Sequence, residues 1–219
     1  MSVPMIRHHL PDSLLMAYST GTLPEAFDLA IATHLSLCDA CRAAAESYDA
    51  LGGALLEETD DKVEMTSGAF DALMARLGES SAPEPATKRP RDPVLPEPLA
   101  SYVGGELEAA RWRPVGRGVR QAMIPLTDKS ATARLLHIPA GTAVPDHGHR
   151  GTEITLVLQG AFTDADGTFA RGDVEVATDE LDHMPVADIA EDCICLAVTD
   201  APLQFKALLP RIAQPFLGI

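Results

Sequence analysis

The chain is short of positive charge. Seventeen Lys and Arg stand against 32 Asp and Glu, a formal net charge of -15 over 219 residues. The deficit is spread along the chain, with -9 over residues 1–82 and -7 over 96–219. A nucleic-acid binder needs a cationic face to displace counterions, and an anionic membrane surface attracts polybasic segments. Neither class is expected here. Long apolar runs are also lacking: no stretch reaches the roughly 18 consecutive apolar residues of a membrane span, and Met1 to Arg7 contains no apolar signal core. Cysteine is scarce, with four residues split two and two between the halves, which does not resemble a secreted disulfide framework. These absences predict a cytoplasmic protein with reduced thiols, whose acidity suits a basic protein partner. Apolar residues make up 46% of the chain, enough for one or two ordinary hydrophobic cores.

What is present begins with His34-Leu-Ser-Leu-Cys38-Asp-Ala-Cys41. Residues four apart share a helix face, so His34 and Cys38 can reach one ion, and the Asp39-Ala40 step carries Cys41 toward the same point. Two thiolates and an imidazole are three of the four ligands of a structural zinc site. His8-His9 offers the fourth, with either histidine open. The competing readings are a redox Cys-x-x-Cys pair and a buried histidine with incidental thiols. Redox pairs normally open a helix that follows a strand, whereas helical sequence precedes this motif.

Residues 11–78 read as helices. Starts lie at Pro11-Asp12-Ser13 and Leu23-Pro24-Glu25, with Gly21 between them as a stop. A third helix is expected to begin around Cys38 and Cys41 and to run through Arg42 to about Leu56. A fourth, Ser67 to Leu77, carries Phe70, Leu73, Met74 and Leu77 on one stripe. The acidic run Glu57-Glu58-Thr59-Asp60-Asp61 sets it apart from the other three. Pattern alone allows that stripe either to join the bundle or to stay free for a partner. The proline-rich stretch 79–98 favours extended chain and marks a linker. Beyond it, segments such as 133–138, 153–158 and 193–198 read as short strands of a barrel or sandwich. The expected fold is α plus β in two domains, 1–78 and 99–219.

The strand-rich half holds a second cluster, Gly141-x5-His147-x-His149-x3-Glu153-x6-Gly160. Alternate residues of a strand face one side, so His147 and His149 can converge, and Glu153 can join them from the next strand. Gly172-Asp173 then leads toward His183. The spacing matches the first signature of the cupin barrel, and Gly172 and His183 keep the spacing of the second. Thr178, Glu180 and Ala187 stand where that second signature usually has Pro, Gly and Asn, which questions a catalytic pocket. The N/O ligand set suits zinc or another divalent transition metal. Cys193 and Cys195, two apart on one strand, are poorly placed for a disulfide and read as packing residues.

A His-x3-Cys-x2-Cys helical module followed by a cupin resembles the zinc-binding anti-sigma factors, and among them the ChrR type. Ile6-Arg7-His8-His9, Thr33 to Asp39, Pro145 to Gly151, Leu156 to Phe162 and Asp192 to Ala197 carry the likeness. The resemblance implies zinc at His9, His34, Cys38 and Cys41, and cupin ligands His147, His149, Glu153 and His183. It implies 1:1 binding of an extracytoplasmic-function sigma factor, without direct nucleic-acid binding, and a detached fourth helix whose Phe70, Leu73, Met74 and Leu77 contact the partner. It further implies that the cupin half is dispensable for inhibition but needed to respond to singlet oxygen. The alternative from the cupin ligands alone is a metal-dependent dioxygenase, hydrolase or isomerase.

Overall fold

The structure is a computed structural model that describes residues 5–59, 64–79, 94–179 and 182–205. Its helices start where the sequence offers caps. Pro11 and Pro24 precede α1 (Asp12–Ser19) and α2 (Glu25–Leu35), since proline fixes a suitable φ and gives up only an N–H that the first turn leaves unpaired. Gly21, at φ +64, separates the two. Cys38 is the N-cap of α3 (Asp39–Glu57), and its Sγ accepts the Cys41 N–H at 3.5 Å. This helix therefore begins at the Cys38–Cys41 step, where the sequence places its start. The Gly52-Gly53 pair does not break it.

α4 (Ala69–Glu79) stands apart: every residue from Phe70 to Leu77 is exposed. Of the two placements that the pattern left open, the fold contains the detached fourth helix that the resemblance implies. Of the proline-rich stretch, residues 80–93 lie outside the described residues. Its C-terminal end is not extended. Leu95 is buried, and α5 (Glu97–Val103) follows, ended by Gly104 in the left-handed region. Pro96 and Pro98 fit because they are the N-cap and a first-turn position, where no helical N–H is lost.

The remainder is antiparallel sheet. β1 (Arg113–Gly116), β2 (Val119–Met123), β3 (Thr132–Ile138), β5 (Glu153–Gln159), β8 (Val174–Ala177) and β11 (Cys193–Thr199) form a six-stranded sheet of order β1-β2-β3-β11-β5-β8. Two three-stranded sheets close the other side. One takes β6 (Ala161–Thr163), β7 (Thr168–Ala170) and β10 (Val186–Ala187). The other takes β4 (His147–Gly148), β9 (Asp182–His183) and β12 (Gln204–Phe205).

β11 is buried at all seven positions because both of its faces are covered. Cys193 and Cys195 join Val119, Ile138, Val157, Phe162, Phe169 and Ala187 in the inner core. Ile194, Leu196 and Val198 join Ile154, Leu156, Leu158, Leu135 and the residues of α2 in an outer core. α2 is buried nearly all round, at Ala26, Phe27, Leu29, Ala30, Ile31, Thr33, His34 and Leu35, as suits a helix sandwiched between the bundle and the sheet. One continuous apolar cluster thus joins the helices to the barrel. Glu25 adds a polar clamp: its carboxylate accepts Thr127 N–H (2.7 Å), Thr127 O–H (2.7 Å), Asp128 N–H (2.8 Å) and the Tyr102 hydroxyl (3.2 Å). Among the described residues no helix is long and apolar enough to cross a membrane.

Candidate metal centres

The first cluster forms where the end of α2, the start of α3 and the N-terminal strap (residues 5–11, ahead of α1) meet. His9, His34, Cys38 and Cys41 place their ligand atoms within 4.8 Å of one another. His9 Nδ1 lies 3.3 Å from Cys38 Sγ and 3.5 Å from Cys41 Sγ. His8 turns away: its ring lies against Phe169, with centroids 4.2 Å apart and planes tilted by 36°, and its Nδ1 faces Asp173 at 3.6 Å. The choice between adjacent histidines is therefore made by the barrel, which takes His8. His34 is 0% exposed. Its Nδ1 contacts the Gly172 carbonyl at 2.9 Å and, since a carbonyl only accepts, carries the proton. Its Nε2 is buried with no hydrogen-bond partner.

That orphaned nitrogen is the physical test of a metal site. A buried imidazole nitrogen without a partner is costly, and here it faces two thiols and a second imidazole, a donor set suited to tetrahedral zinc. Burial holds His34 down to about 4, against the opposing pull of Gly172, so at neutral pH the ring is the neutral imidazole, with its proton on Nδ1 and Nε2 free to ligate. Burial pushes the Cys41 thiol up to about 11, so a cation binding there would have to displace its proton.

The second cluster sits inside the barrel, with His147 on β4, His149 just after it, Glu153 at the head of β5 and His183 on β9. All four are buried. His183 Nε2 lies 3.2 Å from both His149 Nε2 and His147 Nε2. Two bonds of about 2.1 Å meeting at roughly 100° would separate their nitrogens by about this distance. The rings are fixed from behind: His147 Nδ1 donates to the Pro145 carbonyl at 2.9 Å, and Thr155 Oγ1 donates to Glu153 Oε1 at 3.1 Å. His183 Nδ1 sits between Asp164 Oδ2 (3.0 Å) and Glu175 Oε1 (3.2 Å).

Burial disfavours the charged form of His183, but Glu175 and then Asp164 outweigh it and raise the ring to about 9. Burial likewise raises Glu175 to about 7, against the pull of His183. Carboxylates behind a ligating imidazole orient it and increase its basicity. Motif spacing marks seven of the eight candidate ligands and the resemblance adds His9, but neither marks Asp164 or Glu175. Of the departures from the second cupin signature, Ala187 is packed in the inner core, Thr178 is exposed and Glu180 lies outside the described residues. Cys193 and Cys195 are free thiols with their sulfurs 3.4 Å apart.

Residues 101–203 match the ChrR cupin-like domain family. The anti-sigma-E factor ChrR of Cereibacter sphaeroides is 57% identical over 214 residues, which span 98% of this chain and 99% of that protein. This chain belongs to the ChrR family of anti-sigma factors. A chain in the crystal structure of Rhodobacter sphaeroides SigE in complex with the anti-sigma ChrR is 54% identical, with a TM-score of 0.79 over 89% of this chain and 99% of that one. An RmlC-like cupin protein of Ralstonia eutropha is 24% identical over 47% of this chain and 71% of its own, with a TM-score of 0.41. The barrel cluster and its two carboxylates lie inside the matched ChrR cupin-like segment.

The four stripe residues of α4 are not brought to either cluster. Phe70, Leu73, Met74 and Leu77 are 51–63% exposed. α3 adds a second apolar face that the helical pattern did not single out: Leu51, Leu55 and Leu56 are also exposed, beyond the part of α3 buried at Cys41 and Ala45.

Proposed function

We propose that this chain sequesters an extracytoplasmic-function sigma factor in the cytoplasm, one to one, through its helical module, and releases it when the barrel half receives a singlet-oxygen or related oxidative signal. The observation that carries the reading is α4. In a chain of the ChrR family, four large apolar side chains lie on one helix face that nothing in the described fold covers. An amphipathic helix of this kind suits a hydrophobic groove on a partner. Net acidity supports the same reading, because an acidic inhibitor complements a basic promoter-binding surface and has no affinity of its own for DNA.

His9, His34, Cys38 and Cys41 would hold zinc, and His147, His149, Glu153 and His183 zinc or another divalent transition metal. Zinc at the first cluster supplies a staple, tying the strap to the α2–α3 junction. The chain's own residues do the rest. α2 fixes the module on the barrel through its buried apolar faces, Glu25 clamps the loop at Thr127, and α3 and α4 present the contact surface.

The test is co-purification with the cognate sigma factor and inhibition of transcription from its promoter. The double variant Cys38→Ala, Cys41→Ala should lose both. The double variant His147→Ala, His149→Ala should still inhibit but should not release the partner under a photosensitiser and light. Full inhibition by the cysteine variant would remove the thiol cluster from the mechanism. Normal release by the histidine variant would remove the barrel.

A further inference from the structure

One four-residue segment of the barrel touches both clusters. Gly172 turns the chain into β8 at φ +91, and its carbonyl accepts the Nδ1–H of His34 at 2.9 Å. A Cβ at Gly172 would stand 2.7 Å from Ile6 Cδ1, so only glycine lets the N-terminal strap pass this close. The Asp173 carboxylate accepts the backbone N–H groups of Arg7 (2.6 Å) and His8 (2.9 Å), and it also accepts that of Ala170 (2.9 Å). Val174 N–H returns a bond to the His8 carbonyl at 3.3 Å. The next residue is His9. Two positions past Asp173, Glu175 accepts from His183 in the barrel cluster at 3.2 Å.

The segment is also placed to move. β8 is the edge of the six-stranded sheet and pairs with β5 on one side only. Its head is covered by the strap rather than by another strand. An edge strand has fewer ladder bonds to break than a central one, so its displacement costs less.

We propose that residues 172–175 form a shared outer shell for both metal clusters. In it Gly172, Asp173 and Glu175 are positioning residues, and filling the barrel cluster tightens the hold of the thiol cluster on its ion. The inference rests on the reading above that both clusters bind metal. When the barrel ligands are drawn onto an ion, His183 is fixed and fixes Glu175. β8 is then held in register, and its head presents the Gly172 carbonyl to His34 and the Asp173 carboxylate to the strap. When a barrel ligand is lost, the same contacts loosen at the other end. Such a coupling is reciprocal, so thiol-site occupancy tightens the barrel site by the same factor.

The test uses the full chain and cobalt(II), with no sigma factor. Thiolate-to-cobalt charge transfer absorbs only when the Cys38–Cys41 cluster is occupied, because the barrel cluster has no sulfur ligand. The concentration of a competing chelator that halves this band is measured with the barrel cluster intact and with His149→Ala. We expect severalfold less chelator to suffice in His149→Ala. Asp173→Asn should weaken retention severalfold, because the strap that carries His9 loses its charged anchor at Arg7 and His8. In Glu175→Gln, His149→Ala should have no further effect. In the unmodified chain, the same competition run before and after filling the barrel cluster gives a readout free of any folding defect. An unchanged midpoint there would overturn the coupling. A chain that never develops the band would overturn the metal reading beneath it, a distinct result.

Discussion

Phe70→Ala is the sharpest test of the partner surface, because it separates binding from folding. Phe70 is 63% exposed on a helix with no buried residue, so truncating it removes almost nothing from the free chain. A phenylalanine side chain offers roughly 200 Å². If a partner covers the exposed part, roughly 120 Å² leaves water on binding, worth about 3 kcal/mol at about 25 cal/mol per Å². That corresponds to roughly a hundredfold in Kd. Leu73, Met74 and Leu77 share the stripe, so pairs of substitutions would couple rather than add. The assay is calorimetric or surface-based titration of the cognate sigma factor, with the melting temperature of each free variant as control. We expect weakened binding with a melting temperature within about 2 °C of the parent, since exposed substitutions rarely shift stability. An affinity within twofold of the parent for Phe70→Ala together with Leu77→Ala would refute α4 as a contact.

Three further outcomes follow from the fold and its clusters. Leu196→Ala opens a cavity in the core that joins α2 to the sheet and should cost about 2–5 kcal/mol; calorimetry should show helices and barrel melting in one transition, and two separated transitions would contradict a shared core. Stripping the proposed metal with a strong chelator should lower the melting temperature of the parent more than that of Cys38→Ala, Cys41→Ala, which keeps only the barrel cluster, as read by circular dichroism. Glu25 has its carboxyl below the usual value, first through the Thr127 side chain and then through the Asp128 N–H. A carboxylate lowered in the folded state contributes stability above its ordinary range and loses it as pH falls through the lower folded value. The amide resonances of Thr127 and Asp128 should therefore hold position down the pH scale and titrate with a midpoint below 4.5, the unperturbed value; a midpoint at or above it would break the clamp argument.

Features were legible in the sequence where the determinants are local. His34, Cys38 and Cys41 lie within eight residues, and the short break between α2 and α3 brings them together, with Cys38 as an extended N-cap rather than a position on the helix face of His34. The spacing from Gly141 to Gly160 is likewise a strand-turn-strand pattern. Both end glycines have positive φ, and a Cβ at Gly160 would stand 2.7 Å from the Asp192 carbonyl. What stayed hidden depends on contacts between distant parts of the chain. His8 and His9 are equivalent in sequence, and only Asp173, 165 residues from His8, takes one out of play. Asp164 and Glu175 acquire a role only when the barrel closes around His183. α5 was masked by its prolines, which signal extended chain in isolation yet are tolerated at a helix start. α2 has the pattern of a bundle helix, and nothing in it announces that one of its faces lies on β11.

The burial of α2 also constrains where a partner can dock. A helix covered nearly all round has no face left to offer, and the barrel occupies the side of the module that the sheet covers. The large apolar side chains left uncovered on the helices are Met16 on α1, Leu51, Leu55 and Leu56 on α3, and the α4 stripe. A sigma factor bound there would meet the module on surfaces that do not include the barrel ligands, which are buried within the sheets. A signal arriving at those ligands must then act through what joins the two halves: the α2–β11 core, the Glu25 clamp, or the head of β8. The first is an apolar layer without a polar contact to either cluster, and the second touches neither. Among the described residues, only the segment from Gly172 to Glu175 makes hydrogen bonds at both ends of the route, to His34 and to His183.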